Sequence, residues 1–301
     1  MKKESIAAIG SINQDLIFGV RRLPAKGETF TAENFMMCGG GKGANQSVQC
    51  AKLGAKVYLA GRVGNDSFGD LLVSKLEDYG VDVSYITRSS NAHTGVGSVQ
   101  VLPDGSVYAT ISAGANFDMD ISFVDYIEDL LQKCKIVILQ MEIPMQVIEE
   151  TIRRAKLHDC IILLNAAPAK PIDPQVLKLV DCLVVNESEA EFYTAMEINN
   201  IDTAKSAAVK LLDMISGGVI VTLGENGSIF CTHDYSTHFV ADTSVSVVDT
   251  TGAGDSYIGA LATKISEGAD MKSSCEFASR VAAYTVTRIG AQEGMPTKFD
   301  L

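Results

Sequence analysis

The segment Val245-Ser-Val-Val-Asp-Thr-Thr-Gly-Ala-Gly-Asp255 joins a short β-branched run to a glycine-bearing turn, and an apolar pattern of helical period follows it. Residues 245–248 are typical of a strand, and residues 256–265 of a helix. The turn is therefore predicted to open a helix just past the end of a strand. In an open α/β sheet, that position is where ligands bind.

This turn has the chemistry of an anion-binding site. The free amides of Gly252, Ala253 and Gly254 are predicted to point at an anion, and the helix dipole favours negative charge there. Asp255 follows in the first helical turn, where the dipole favours an ionised carboxylate. A carboxylate beside an anion hole suits phosphoryl transfer, because it orients and deprotonates a hydroxyl while the amides stabilise the transferring group. The simpler interpretation of Asp255 is a helix-capping residue.

Two other glycine motifs do not fit the chain. A Walker A loop requires Gly-Lys-Ser/Thr after its glycines, and Lys42, although it follows a glycine, is followed by Gly43. A dinucleotide fingerprint requires a third glycine, whose place after Gly254 is taken by Tyr257. The segment is therefore predicted to bind phosphate in neither of these ways.

Outward from this segment, short β-branched runs alternate with helical patterns. This alternation predicts an α/β fold, doubly wound, with a mostly parallel sheet and helices on both faces. The predicted strands span residues 6–9, 57–60, 136–139, 161–164, 183–185 and 219–222. The predicted helices span residues 43–53, 67–79, 144–157, 187–196 and 203–215.

Two stretches interrupt the alternation. Residues 28–37 are extended in composition, and residues 94–112 hold two strand patterns around the turn Pro103-Asp-Gly105. They predict a small antiparallel sheet that projects from the main domain as an insertion at roughly 12–38 and 93–114. The alternative is a pair of edge hairpins on the main sheet. Since no repeat or linker divides the chain, residues 1–301 are predicted to form a single domain with this appendage.

The composition of the chain excludes some classes of binding partner and favours others. The 301 residues carry a formal net charge of -12, which disfavours nucleic acid. The seven cysteines lack a C-x-x-C pair and are interpreted as reduced core residues of a cytoplasmic protein, with a metal site as the weaker alternative. After Met1-Lys-Lys the apolar run stops at Gly10, too soon for a signal peptide, and no apolar stretch is long enough to span a membrane.

Residues 249–255 closely resemble the second signature of the ribokinase (PfkB) carbohydrate kinase family, and Gly39-Gly-Gly-Lys-Gly-Ala-Asn-Gln46 resembles the first. The likeness covers essentially the whole chain. Within the family, residues 10–15, 164–169 and 286–292 look most like the ribose-phosphorylating members. The resemblance implies a doubly wound domain with a small β-sheet lid over the sugar, and a homodimer in which two lids pack together.

The resemblance also implies a sugar site. Asn13 and Asp15 match residues that hold sugar hydroxyls, and Glu142 matches a carboxylate that reaches the sugar. Asp255 matches the base that takes the proton from the 5-hydroxyl of ribose, beside the anion-hole residues Gly252, Ala253 and Gly254. The sugar-binding part of the glycine-rich segment comprises Gly41, Lys42, Gly43 and Asn45.

Each of these residues has a simpler interpretation when taken singly. Asn13 and Asp15 suit a turn after a strand, Glu142 suits a helix start, and Lys42 suits a solvated surface position. A sugar, however, offers several hydroxyls that Asp, Asn, Glu and Lys bind in fixed directions. The combination therefore favours the sugar site.

On the nucleotide side, the resemblance implies ATP with Mg²⁺. Asn186 matches a residue near the phosphates, and Ser279 falls on the adenine side. Glu187 and Glu189 match acidic residues linked to magnesium, although an acid-rich helix start explains them as well. The loop that matches the ATP loop, to which Gly254 is added, comprises Thr222, Leu223, Gly224, Glu225, Asn226 and Gly227.

The resemblance further implies a monovalent cation, usually K⁺, next to the anion hole. Its carboxylate ligand would be Asp249. Gly294 stands where a serine is common in the family, so a carbonyl or water would have to replace the hydroxyl ligand. The remaining carbonyls would come from Thr251, Thr285, Arg288 and Gly290.

The expected reaction is ATP + D-ribose giving ADP + ribose 5-phosphate. The nearest rivals are family kinases for deoxyribose, a ketohexose or a nucleoside, and a rival of another class is a non-catalytic sugar sensor. A nucleoside requires apolar lid contacts, for which Phe30, Phe35, Met36 and Met37 are candidates. A lid-to-lid dimer interface explains the same residues.

Overall fold

The computed structural model describes residues 5–104, 106–240 and 244–301. The basic start Met1-Lys-Lys-Glu4 and Gly105 of the predicted turn lie outside the described residues. The described strands are β1 (Ser5–Ile9), β2 (Asn13–Gly19), β3 (Asn34–Gly40), β4 (Val57–Gly64), β5 (Asp82–Ser89), β6 (Gly95–Val101), β7 (Val107–Ser112), β8 (Cys134–Gln140), β9 (Ile161–Asn165), β10 (Cys182–Asn186), β11 (Gly218–Thr222), β12 (Ser228–Cys231) and β13 (Ser236–Phe239).

The described helices connect these strands. They are α1 (Lys42–Lys52), α2 (Ser67–Asp78), α3 (Ile121–Tyr126), α4 (Glu128–Lys133), α5 (Met145–Leu157), α6 (Pro174–Leu177), α7 (Glu187–Thr194), α8 (Ile201–Leu212), α9 (Ala253–Ser266) and α10 (Met271–Thr285). Short 3₁₀ helices lie at Gly114–Phe117 and Gly224–Asn226.

The main sheet has nine strands in the order β13-β12-β11-β10-β9-β8-β1-β4-β5. All neighbours run parallel except β11, β12 and β13, which are antiparallel at one edge. The chain builds outward from β1 in one direction through β4 and β5, and in the other from β8 to β13. This reversal next to β1 creates a crevice at the carboxyl ends of β1 and β8.

Both faces of the sheet are covered, which explains the continuous apolar runs. Along β8, Val137 and Leu139 belong to the apolar cluster that includes residues of α3, α4, α5 and α8, while Ile136 and Ile138 belong to the cluster on the other face, with residues of α1, α2, α9 and α10. Successive side chains of a strand point to opposite faces, so a strand with two covered faces is apolar throughout. The predicted doubly wound, mostly parallel fold is confirmed.

The second sheet, called the lid below, has four strands in the order β3-β2-β6-β7. The predicted separate small sheet is confirmed, and the alternative of edge hairpins on the main sheet is wrong. The prediction of a purely antiparallel sheet is also wrong, because β2 and β6 pair in parallel. The physical reason is that β2 follows β1 and β6 follows β5, and both leave the main sheet at its carboxyl edge in one direction.

The strand predicted at 245–248 is wrong as well. These described residues form bends and loop, and the Val248 N–H donates to the carbonyl of Val286 at 2.7 Å, just past the end of α10. Val247 and Val248 are 62% and 56% exposed, so their β-branched side chains are not held in a sheet. The glycine turn before α9 therefore follows a loop docked on α10.

Candidate active site

The crevice beside β1 and β8 collects side chains that are distant in sequence. Glu142, two residues after β8, accepts hydrogen bonds from the Ser11 hydroxyl and from the backbone N–H of Lys42, the latter at 3.1 Å. Gly41 precedes α1 with φ +88°, and a Cβ atom there would stand 2.7 Å from the carbonyl oxygen of Ser11. Only glycine allows this close turn, which brings Lys42 over the end of β1.

Asp255 lies in the first turn of α9 and is only 7% exposed. Its Oδ2 accepts a hydrogen bond from Asn45 Nδ2, and its Oδ1 accepts one from Gln46 Nε2, each at 2.9 Å. The helix begins instead at Gly252, which has φ +81° and no side-chain cap. The capping interpretation of Asp255 is therefore wrong, since its carboxylate binds side chains of α1.

Lys42 is the positive partner of this acidic crevice. Its pKa is raised, chiefly by the nearby charge of Asp255 and further by Glu142 and Glu189. Lys42 and Asp255 line a cavity of about 250 Å³. The other residues that line this cavity include Asn165, Asn186, Glu189, Thr222, Gly252 and Gly254. The cavity thus joins the predicted base to residues predicted for the nucleotide.

Asp15 is the most perturbed of the predicted sugar ligands. Its carboxylate lies between two backbones, because a Cβ atom at Gly40 or at Gly97 would stand 2.0 Å or 2.3 Å from its oxygens. Burial, followed by the charges of Glu142 and Asp255, raises the pKa of Asp15 to about 6. Burial and two other carboxylates shift the pKa of Asp15, and no cation contributes to that shift. A half-buried carboxylate of this kind is stabilised by hydroxyl groups that donate hydrogen bonds to it.

Asn13 is held by a residue that the sequence did not reveal. Asn116 donates to Asn13 Oδ1 at 2.7 Å and to the Ile12 carbonyl at 3.2 Å, and it accepts from the Ile12 N–H at 2.9 Å. Asn116 lies 103 residues away from Asn13 and has no motif around it. The structure therefore places Asn13 in the crevice, where Gly43 also packs closely on the backbone of Gly10.

The nucleotide-side residues surround the carboxyl ends of β10 and β11. Asn186 and Glu189 form a capping box at the start of α7, in which each side chain binds the backbone N–H of the other at 2.9 Å. The helix-start interpretation thus describes Glu189 correctly, and Glu187 opens the same helix. Residues 222–227 form the turn between β11 and β12, as expected from the sequence.

Ser279 lies apart from this turn, on α10. Its hydroxyl is buried and has no hydrogen-bond partner among the described residues. It lines a second cavity, of about 800 Å³, together with His238, Phe239 and Phe277. His238 donates from Nε2 to the carbonyl of Asn226 at 2.8 Å, which connects this cavity to the predicted ATP loop.

The anion hole differs from expectation at one amide. The Ala253 N–H donates to the carbonyl of Thr250 at 3.2 Å, so it is not free. A Cβ atom at Gly254 would have open space within 4 Å, and Gly254 lines the cavity that contains Asp255. The open side of the helix start is therefore at Gly254.

Three of the four carbonyl groups predicted for the monovalent cation, those of Thr285, Arg288 and Gly290, lie close to Gly294. A Cβ atom at Gly294 would lie 2.6 Å from the carbonyl oxygen of Gly290 and 3.4 Å from those of Arg288 and Thr285. Asp249 accepts from the N–H groups of Thr251 and Gly290, each at 2.9 Å. Across residues 5–104, 106–240 and 244–301, no group of three or more His, Cys, Asp or Glu residues is arranged to hold a metal ion.

The cysteines match their interpretation as core residues. All seven are buried. Burial raises the pKa of the Cys50 thiol to about 12 and that of Cys38 to about 11. Among the described helices, none has the length and apolar character to cross a membrane.

Several known proteins are similar to this chain over nearly all of its length. The pattern of the pfkB family carbohydrate kinases matches residues 3–298. The chain is 36% identical to the deoxyribokinase of Salmonella typhimurium over 97% of this chain and 95% of that protein. It is 35% identical to the ribokinase of Schizosaccharomyces pombe, over 99% and 96%. A solved structure of Arabidopsis thaliana ribokinase, complexed with ribose and ATP, superposes with a TM-score of 0.91 at 30% identity, covering 99% and 97%.

Proposed function

The chain belongs to the pfkB family of carbohydrate kinases, and from this premise we propose that it transfers the γ-phosphoryl group of ATP to the 5-hydroxyl of D-ribose. One observation carries the proposal for this chain. The Asp255 carboxylate is held by two carboxamides at the start of α9, in a cavity whose other walls come from β10, β11 and Lys42. A sugar bound by Asp15 and Glu142 would present its 5-hydroxyl to Asp255 on one side and to the phosphate on the other.

In the proposed step, the sugar hydroxyl gives its proton to Asp255 while its oxygen forms a bond to the γ-phosphorus. The bond from that phosphorus to the bridging oxygen of ADP breaks, and ADP leaves. Positioning supplies most of the rate in such a transfer, because the transferring group needs charge stabilisation more than covalent help. Lys42 supplies positive charge beside Asp255, and the helix start at Gly254 supplies a backbone amide and the dipole.

We propose that two cations act at this site and are held in different ways. Mg²⁺ would be held by the ATP phosphates and water near Asn186 and Glu187, where it would neutralise charge on the transferring group. K⁺ would be held by Asp249 and the carbonyl groups that converge on Gly294. Backbone carbonyls suit a large, weakly hydrated cation, and they converge although no side-chain hydroxyl stands at Gly294.

A sugar panel tests the function. We expect sugar-dependent ADP release with ribose, at a kcat/KM at least about tenfold above that with 2-deoxyribose, because unpaired site groups penalise a missing hydroxyl. The rate should rise when KCl replaces choline chloride. A preference for 2-deoxyribose would instead assign the activity of the Salmonella relative, and release without sugar dependence would favour a sensor.

We further propose that two lids form a homodimer. Large apolar side chains are exposed on the lid, among them Phe35 at 55% and Ile111 at 53%. They lie on the two edge strands of the lid, β3 and β7, and large exposed apolar side chains are typical of interfaces. Val107, Tyr108, Met36 and Met37 are further exposed lid residues.

The dimer is tested by a matched pair of substitutions. Ile111→Asp is expected to halve the mass measured by light scattering, because a charge would be buried in the lid interface. Leu157→Asp is the control, since Leu157 is exposed at the end of α5 in the main domain. Equal masses for the two variants and the unchanged protein would contradict a lid interface.

A further inference from the structure

Behind Asp255 lies a shell of buried carboxamides, in which Asn45 and Gln46 belong to the first signature and Gln140 and Gln292 to neither signature. Gln46 and Gln140 are fully buried, and Gln292 is 2% exposed. Gln140 Nε2 donates to Gln46 Oε1 at 2.7 Å, and Gln46 Nε2 donates to Asp255 Oδ1 at 2.9 Å. On the other side, Gln292 Nε2 donates to Asn45 Oδ1 at 2.9 Å, and Asn45 Nδ2 donates to Asp255 Oδ2 at 2.9 Å.

The order of donors and acceptors in this shell has a consequence. A carboxamide has one acceptor end and one donor end. Because Gln140 occupies the acceptor end of Gln46, only the donor end of Gln46 remains for Asp255. Asn165 Oδ1, at 3.2 Å from Gln46 Nε2, reinforces the same orientation.

The orientation of Gln140 leaves one of its polar atoms buried and unpaired. Its own Oε1 is buried without a hydrogen-bond partner among the described residues. A Cβ atom at Gly10 would stand 1.9 Å from this oxygen, so the backbone just after β1 lies directly against it. A buried unpaired acceptor costs free energy of folding, and such groups persist where they serve a site.

We propose that Gln46, oriented by Gln140, is a positioning residue for Asp255. The inference rests on the proposed function of Asp255 as the base. With one N–H donor on each oxygen, the carboxylate keeps a fixed rotation and retains lone pairs for the sugar hydroxyl. Gln46 has no exposed surface, so it acts through Asp255 and leaves sugar binding to residues of the crevice.

Two isosteric substitutions on α1 test the proposal. Gln46→Met removes the donor to Asp255, and Gln49→Met, one turn later and equally buried, removes a donor to the carbonyl of Pro296. We expect Gln46→Met to lower kcat about 10- to 100-fold, as for the loss of one hydrogen bond to a charged group, with the KM for ribose within about twofold. Gln49→Met should leave kcat within about threefold. Equal kcat values in the two variants would overturn the proposal.

A second measurement is independent of turnover. Gln46→Met is expected to lower Tm when it is the only substitution. In an Asp255→Ala background the contact between Gln46 and Asp255 is already absent, so Gln46→Met should lower Tm by less than half as much. Equal Tm losses in both backgrounds would overturn the contact. Failure of the proposed function alone would appear differently, as no ribose-dependent ADP release in the unchanged protein together with the expected pattern of Tm.

Discussion

Asp255→Asn is expected to lower kcat for sugar phosphorylation by about 10²- to 10⁴-fold, the range for loss of a general base. Asparagine keeps the shape of the side chain but does not take the proton of the attacking hydroxyl. The oxygen of the substituted carboxamide still accepts one N–H from the shell, so the variant should fold and retain ribose binding. The kcat of the variant is measured by a coupled ADP-release assay, and its affinity for ribose is measured by calorimetry.

The matched control is Asp270→Asn. Asp270 begins α10, where its carboxylate accepts from the Ser273 N–H at 2.9 Å, so it has the capping role that Asp255 lacks. We expect it to leave stability and kcat nearly unchanged, because asparagine caps a helix about as well as aspartate does. If Asp255→Asn resembles Asp270→Asn and turns over at nearly the unchanged rate, the assignment of the base is wrong.

Asp15→Asn is expected to have two opposite effects. It should raise the KM for ribose by about 10- to 100-fold, since it removes charged hydrogen bonds to the sugar hydroxyls. It should also stabilise the sugar-free protein at pH 8, because it removes a half-buried charge that lies near Glu142 and Asp255. Strained or mutually repelling groups of this kind are common where a site is built for a ligand.

The pH dependence follows from the pKa of Asp15. Folding raises this pKa from its ordinary 3.8 to about 6, so the folded protein binds the proton more tightly than the unfolded chain. The resulting stabilisation is complete below about pH 4 and is lost as the pH rises through about 6. It amounts to at most about 3 kcal/mol, from roughly two pKa units at 1.36 kcal/mol each. Sugar affinity should change in the opposite sense and fall below pH 6, as Asp15 becomes protonated.

Thermal unfolding between pH 5 and pH 8 measures this effect. The gain in Tm from Asp15→Asn should be larger at pH 8 than at pH 5. Asp104→Asn is the control on the same lid, because Asp104 is exposed and hydrogen bonds from Ser106 lower its pKa. A uniform gain across the pH range, or a gain from Asp104→Asn as well, would contradict the account of Asp15.

The main sheet was predictable because burial on both faces makes each central strand a continuous apolar run. The run at 136–139 lies within β8, and the run at 219–222 lies within β11. The same rule failed at residues 245–248, where β-branched residues are exposed in a loop. Composition alone does not distinguish a strand from a loop whose backbone hydrogen bonds go to a helix end.

The proposed reactive centre was also visible in the chain, since Gly252, Gly254 and Asp255 are neighbours and their chemistry is local. The first turn of α9 presents them together whatever surrounds it. The parallel pairing of β2 with β6 was not visible, because it depends on both strands leaving the main sheet at the same edge. Likewise, the contact between Gln46 and Gln140 was not visible, because the two residues are 94 positions apart in the sequence.

The sequence alone therefore predicted the properties that depend on neighbouring residues. These are the α/β alternation, the glycine turn before α9 and the carboxylate that follows the turn. Properties that depend on contacts between distant segments came only with the folded molecule. These are the carboxamide shell around Asp255, the raised pKa of Asp15 and the carbonyls around Gly294. The reason is that hydrogen-bond direction and electrostatic environment are set by groups that approach in space, and sequence spacing carries no record of that approach.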